Sequence, residues 1–510
     1  MPVCNTLVRN RVRMLRGGLA ALVLIALVSQ PHAVGAPVQD GTATIVVGAD
    51  TVSLHPSDVS DSASEAILLN MYEPLVFMSP TGKVEPLLAE SWKVIDEATY
   101  QFRLRKGVKF HNGQPLTADD VAGSINELLK PASGKPYRNT LFTVNIKEAV
   151  KEDAQTVTIR TTVPFGPFLR NIAQLRIVPP KISREELAKK VVGTGPYRLV
   201  EYVEGSHFVL ERFEDYWGSK PPIRRVVFRI VPEASARVAE AQAGRAEVIT
   251  NIPPELVSVV GRISGFKVVV APTTYRIALT YNTRVDSPVR NPKVRQAINY
   301  AINYEAIIKN ILGGYGRLVG PLIEQDIGYN PFFKDYTYDP NKTRTLLAEA
   351  GYPNGFSVVL ATSQGRYIKD KEVAEAVAGM LREVGINARV QVNEWGAHVN
   401  QIIAHTIAPT YLIGWRGVNF DPSAALVAWD CSSAFANYCN PQVQELLRIG
   451  LTSVATYKRA TAYREALSIY LVDPPAAYLF QETALYVVRD TVKWTPRVDQ
   501  LVLVKTMTPK

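Results

Sequence analysis

Within the stretch "LIGWRGVNFDP" (412–422) an apolar run ends at Trp415. A loop follows that carries Arg416, Asn419 and the pair Asp421-Pro422. A flat indole and a carboxylate six residues apart can do two kinds of chemistry. The carboxylate can act as a general acid or base beside a substrate platform. It can also pair with a buried ammonium, where a charge-assisted hydrogen bond contributes about 1.5–3 kcal/mol. The indole would then offer its face to a cation, worth about 0.5–1 kcal/mol at an exposed site. A second charge, Arg366 in "TSQGRYIKD" (362–370), also falls in a loop just after an apolar run. An arginine that seeks an anion and an aspartate that seeks a cation, at one crevice edge, suit a zwitterion. Gly414 at the strand end and Asn419 in the loop complete the candidate ligand-binding set.

Catalysis needs a constellation, and none is written in the chain. There is no G-x-S-x-G elbow, no Walker A loop and no H-E-x-x-H. The glycine-rich "GGYGRLVG" (313–320) follows a helical pattern and misses the G-x-G-x-x-G spacing, so it reads as a helix-ending loop. His398 and His405 share one helical face, but two turns part them by roughly 10 Å, too far for a shared metal without partners. The paired acids Asp119-Asp120 read first as helix-start residues. The expectation is therefore no catalytic residue, no metal and no cofactor.

The elements that position the candidates are legible as patterns. "TYQFRLRKG" alternates Tyr100, Phe102 and Leu104 with polar residues, a half-buried strand. After the turn cluster "HNGQPL", a helix opens with Thr117 at the N-cap and Asp120 at its third position; Val121, Ile125, Leu128 and Leu129 form its buried stripe. From residue 291 the pattern becomes strand alternating with helix. Asn291-Pro292 starts a helix, "FSVVLA" is a strand, and Val373, Val377, Leu381 and Val384 mark a helix stopped by Gly385. "INARVQV" and "TYLIGW" are the next strands, with a helix from about Gly396 to His405 between them. Such alternation predicts parallel crossovers on one sheet, with ligands bound beyond the carboxyl ends of its strands.

At 510 residues the chain is too long for one core and predicts two to three domains. Arg9, Arg11, Arg13 and Arg16 precede "GGLAALVLIALV" and then "SQPHAVGA", the pattern of a secretory signal peptide over residues 1–36, cleaved near Ala36. Its removal leaves 53 cations against 47 anions, about +6, with no basic run, which argues against nucleic acid. Cys4 departs with the signal and no cysteine directly follows the apolar run, so lipid anchoring there is not expected. Cys431 and Cys439, eight apart, read as a small disulfide loop in an oxidising compartment, worth about 2–3 kcal/mol.

The segment "AESWKVIDEATYQFRLRKGVKFHNGQPLTADDV" (89–121) resembles the signature region of the bacterial extracellular solute-binding proteins, family 5. "GTGPY" (193–197), "YWG" (216–218), "NPKVRQAINYAIN" (291–303) and "YDPNKTRTLLAEAGYPNGF" (338–356) resemble its other landmarks, in order. That family holds the dipeptide- and oligopeptide-binding proteins of ABC importers. The resemblance implies an α/β, two-lobed (three-domain) periplasmic binding protein fold of type II-like, cluster C character, with a hinge between the lobes. The first lobe, in two subdomains, would span 37–271 and be completed by 481–510; the second would span 272–480.

In the family's peptide binders a Gly-Trp is followed six residues later by an Asp before Pro, and that Asp takes the ligand's α-amino group; Trp415 and Asp421 keep the spacing. An upstream Arg takes a dipeptide carboxylate in an Arg-Pro-Tyr context, and Arg366 lacks that proline. Many relatives carry a disulfide near the ligand loop, where Cys431 and Cys439 stand. The implied function is a monomeric periplasmic receptor that delivers a small peptide to ABC transporter permease subunits. An opine, glycoside or other modified solute is the alternative within the family. An exported peptide hydrolase is the alternative outside it.

Overall fold

The computed structural model describes residues 41–59 and 61–510. The signal peptide expected over residues 1–36 and its cleavage near Ala36 lie outside the described residues.

Two long strands, Phe266–Tyr281 and Ala476–Arg489, pair antiparallel along most of their length. They form the spine of an 11-stranded sheet. On one side of the spine lie Thr410–Arg416, Phe356–Thr362 and Ile386–Val392; on the other lie Val248–Ile249, Thr42–Val47, Arg225–Ile230, His207–Arg212 and Tyr197–Val203. Strand Phe356–Thr362 runs parallel to both Ile386–Val392 and Thr410–Arg416, and helices Asp370–Glu383 and Trp395–Ile403 make the crossovers. The expected parallel unit is present, inside a sheet that is otherwise mixed. The pairing of the two spine strands is irregular between Pro272 and Arg276.

Buried apolar side chains gather in three clusters. One runs from Ala43 to Ala271 and resumes from Tyr486 to Met507. A second runs from Ile277 to Phe480, and a smaller third joins Val46, Val238 and Val260 to Leu485 and Val487. The architecture is α/β and two-lobed: the first and third clusters are the cores of the first lobe, and the second cluster is the core of the second. Among the described residues, the spine strands carry the chain between them within the sheet.

In the first lobe, a four-stranded antiparallel sheet is ordered Ala89–Asp96, Thr99–Leu104, Thr156–Thr161, Ile146–Asp153. Helix Ala118–Leu129 packs on it and starts with the expected capping box, the Asp120 carboxylate accepting from the Thr117 N–H at 2.9 Å. The motif "GTGPY" owes its glycines to close approach, since a Cβ on Gly193 would lie 2.0 Å from the Met71 carbonyl oxygen. Thr194 and the motif "YWG" serve one buried carboxylate. Glu73 accepts from Thr194 Oγ1 at 3.1 Å, Tyr216 Oη at 2.8 Å and Trp217 Nε1 at 3.0 Å. Burial pushes its pKa up despite those donors.

His111 is scaffold. Its Nδ1 accepts from the Gly193 N–H at 3.4 Å, so Nε2 carries the proton and donates to the Gly195 carbonyl at 3.0 Å. Burial pushes its pKa down to about 4, and burial does the same to His55. A depressed histidine pKa means that the unfolded chain takes up protons first. Stability is therefore complete above pH ~6.5 and falls as pH drops toward 4. Denaturant midpoints measured from pH 7 to 4.5 should decline, and His111→Gln, which keeps a donor and an acceptor, should flatten part of that decline. An unchanged slope in His111→Gln would show that His111 titrates as freely folded as unfolded.

In the second lobe, Pro292–Ala301 is helical with Asn291 capping it, and Asp370–Glu383 ends before Gly385 at φ 91°. The glycine-rich stretch does follow a helical turn, with Gly313 and Gly314 at φ 61° and 86°. Cys431 and Cys439 are bonded.

Candidate functional site

The loop after strand Thr410–Arg416 crosses from the second lobe to the first. Phe420, at φ 53° and fully buried, packs with the apolar core of the first lobe. A left-handed phenylalanine is strained, and such strain persists only where its surroundings hold it. The holding groups are visible. Arg170, on the first-lobe helix Phe168–Ile172, donates to the Phe420 carbonyl at 2.5 Å and the Asn419 carbonyl at 3.3 Å. Asn419 Nδ2 donates to Asn171 Oδ1 at 2.8 Å. From the second lobe, Arg459 donates to the Gly166 carbonyl at 3.1 Å, and Gly166 N–H donates to the Leu451 carbonyl at 2.6 Å. With Gln174 Nε2 donating to the Val418 carbonyl at 3.5 Å, these hydrogen bonds cross between the lobes around one loop.

Asp421 belongs to this latch. It is 0% exposed. Arg459 Nη2 lies 2.8 and 2.6 Å from its two oxygens, and Ser423 donates to it from both N–H (3.1 Å) and Oγ (2.8 Å). It also caps the short helix Pro422–Ala425. Burial alone would raise its pKa, but Arg459 and then Arg170 outweigh that and hold the carboxyl below its ordinary value. The expected ammonium contact meets a different geometry: the carboxylate does not line the neighbouring cavity, and its partner is a protein guanidinium.

That cavity, of about 710 Å³, lies between the lobes. Such a volume is in the range of small-molecule sites. Trp415, Asn419, Arg416 and Val418 form its wall on the loop side, and Tyr275 of the spine strand adjoins them. The first lobe contributes Glu65, Asn171, Phe142 and Phe165. Trp415 is fixed from two sides: its Nε1 donates to Thr280 Oγ1 at 3.3 Å, and its ring meets Phe435 edge-on at 6.2 Å.

The charges converge on one place. Arg416 Nη2 lies 3.8 Å from Glu65, and Arg176 lies 3.7 Å from the same carboxylate. Arg416 also sits 5.6 Å over the Tyr275 ring. Both ion pairs are longer than the 2.7–2.9 Å of a charge-assisted hydrogen bond. A guanidinium and a carboxylate from opposite lobes, close but not locked together, present complementary charges to a zwitterion.

Of the residues singled out in the sequence, Trp415 and Asn419 line the cavity; Gly414, Arg366 and Asp421 do not. Gly414 makes room for Tyr367, whose ring carbon would lie 2.7 Å from an added Cβ. Arg366 is stacked near Tyr367, Trp395 and Tyr275 at 4.9, 5.1 and 5.8 Å. It braces Tyr275 from outside the cavity, with one long hydrogen bond of 3.4 Å to its hydroxyl. Glu65, Arg416 and Tyr275 were not anticipated. Arg416 stands directly after Trp415 in "LIGWRGVNFDP", whereas Glu65, in "SASEAIL", carries no local signal.

His398 Nε2 donates to the Leu412 carbonyl at 3.1 Å and its Nδ1 accepts from Asn393 Nδ2 at 3.4 Å, and His405 bonds Asn437 at 3.1 Å. Among the described residues no group of three or more potential metal ligands occurs.

The sequence profile described as bacterial extracellular solute-binding proteins, family 5 Middle, matches residues 83–437. The chain is 30% identical over 480 residues to a glutathione-binding protein, GsiB, of Pectobacterium atrosepticum, covering 88% of this chain and 92% of that one. It is 31% identical over 471 residues to the dipeptide-binding protein of Escherichia coli K12, covering 85% and 88%. Among solved structures, HbpA2 from Haemophilus parasuis superimposes with a TM-score of 0.85 at 24% identity, over 92% of this chain and 100% of that one.

Proposed function

The chain belongs to the bacterial extracellular solute-binding proteins of family 5, and from that membership we propose that it captures short peptides for import. It takes the peptide between its lobes and hands it to the permease of an ABC importer. The observation that carries this reading is the inter-lobe cavity with Glu65 and Arg416 facing each other 3.8 Å apart. Glu65 takes the ammonium, Arg416 takes the carboxylate, and Trp415 and Tyr275 supply flat faces to the chain between them. The relatives that bind glutathione and a dipeptide support a peptide-like ligand.

The lobes extend over 37–271 with 481–510, and over 272–480, with the hinge at the irregular pairing between Pro272 and Arg276. The protein works in the periplasm, as a monomer, and turns nothing over. Among the described residues no helix is long and apolar enough to cross a membrane. An opine or another modified zwitterion is a second reading, favoured by the withdrawal of Asp421 from the cavity to Arg459.

Titration of tryptophan fluorescence with a dipeptide, its N-acetyl form and its C-terminal amide tests the charge pair. The free dipeptide should bind, and blocking either end should weaken binding at least about tenfold, as loss of one charged hydrogen bond requires. Equal affinity for all three would remove Glu65 and Arg416 from the role of terminal readers.

A further inference from the structure

We propose that the remaining walls of the inter-lobe cavity select ligands bearing a large aliphatic or aromatic side chain; the inference rests on the capture function above. Away from Glu65 and Arg416, the lining is largely apolar and comes from both lobes. Phe142, Val144 and Phe165 come from the first lobe, and Leu426, Leu447 and Leu451 from the second. Leu447 and Leu451 are four apart on helix Pro441–Thr452, so both present to the same side. Two further charged residues line the cavity, Arg138 and Asp430, and the Asp430 carboxylate is engaged by Ser432 N–H at 3.0 Å and Oγ at 2.6 Å.

Several polar groups on the lining are engaged within the protein, while Arg138 and Asn145 add polar groups at the first-lobe side. Asn419 bonds Asn171, and Ser423 bonds Asp421. The walls beside Phe142, Phe165, Leu426, Leu447 and Leu451 therefore offer a ligand side chain more apolar surface to displace water from than groups to hydrogen-bond. A polar side chain entering such a space gives up its own hydration without compensation. An aliphatic or aromatic side chain buried there gains affinity of about 10- to 100-fold.

Val144 is the position at which to probe this. It lines the cavity yet is 48% exposed and belongs to none of the buried clusters, so a polar replacement spares the core.

Calorimetric titration of the purified protein with Leu-Phe and Gly-Gly, and with hexanoylglycine and acetylglycine, tests the proposal. Leu-Phe should bind at least about tenfold tighter than Gly-Gly. Val144→Asn should narrow that ratio severalfold with an unchanged thermal midpoint. The wild-type ratio decides the matter even if that variant does not fold. A ratio within twofold would overturn the selection while leaving peptide capture intact. If neither dipeptide binds, peptide capture fails, and the acyl pair then decides: tighter hexanoylglycine upholds the apolar selection, and equal or absent binding of both overturns it.

Discussion

Asp421→Ala should destabilise the folded protein by about 3–5 kcal/mol, the usual result of stripping one partner from a buried ion pair. Its carboxylate and Arg459 are both almost wholly buried, at 0% and 3% side-chain exposure. Removing the anion leaves a guanidinium in the protein interior with only neutral partners, the Gly450 and Gly166 carbonyls and the Tyr463 hydroxyl. Against a total stability of about 5–15 kcal/mol, this is a large fraction. Arg459→Met should also destabilise, because it strands the carboxylate beside Arg170. The double variant should lose less than the sum of the two, since neither charge is then left alone. Denaturant unfolding of all four proteins measures the coupling. Strict additivity, with wild-type stability in Asp421→Ala, would show that the pair contributes nothing to the fold. The carboxyl's depressed pKa adds a sign: its contribution is present above the unfolded value near 4 and is lost as pH falls below it. A residue whose sole task was to hold a ligand ammonium would behave differently, weakening affinity and leaving stability untouched.

Arg416→Met is expected to do the reverse. Its ion pair with Glu65 is long, at 3.8 Å, and both side chains keep 13% exposure, so the free protein should lose little stability. Binding is another matter. In the closed complex the guanidinium meets the ligand carboxylate away from water, and truncating one member of such a pair costs about 2–5 kcal/mol, or roughly 30- to several-thousand-fold in affinity. Met keeps an unbranched aliphatic stem, so the loss reports the guanidinium, which lies over the Tyr275 ring, and not the stem's packing. Glu65→Gln should lose affinity for peptides with a free ammonium and little for N-acetylated ones. Calorimetry with a free dipeptide checks both variants, and wild-type affinity in Arg416→Met would exclude it from the site.

The two predictions also mark where the sequence was informative. Strand and helix periodicity placed "TYLIGW" and the helices beside it, because the buried stripes repeat locally. The capping box at Thr117 and Asp120 and the stop at Gly385 are likewise settled within a few residues of chain. The spacing of Trp415 and Asp421 singled out as ligand-binding a loop that the structure carries from the second lobe to the first. It could not say which way each side chain turns. That direction depends on Arg459, 38 positions later, and on Arg170, some 250 positions earlier, and no local pattern records either distance. Glu65 reaches the cavity from a helix that sets it 3.7 Å from Arg176, which is again a property of the assembled first lobe. Arg366 shows a related limit. An arginine in a loop after a strand reads as solvent-facing or ligand-facing, and three aromatic rings from separate segments give it a third option.

The central claim, that the cavity between the lobes captures a zwitterionic peptide through Glu65 and Arg416, is tested most directly by its natural occupant. Protein exported to a periplasm and purified without denaturant can be weighed by native mass spectrometry, and its ligand identified after unfolding. The expected result is a short peptide, or a set of them, with free ends and at least one aliphatic or aromatic side chain, missing from the Arg416→Met variant. A neutral glycoside, or a peptide bound equally well by Arg416→Met, would contradict the claim.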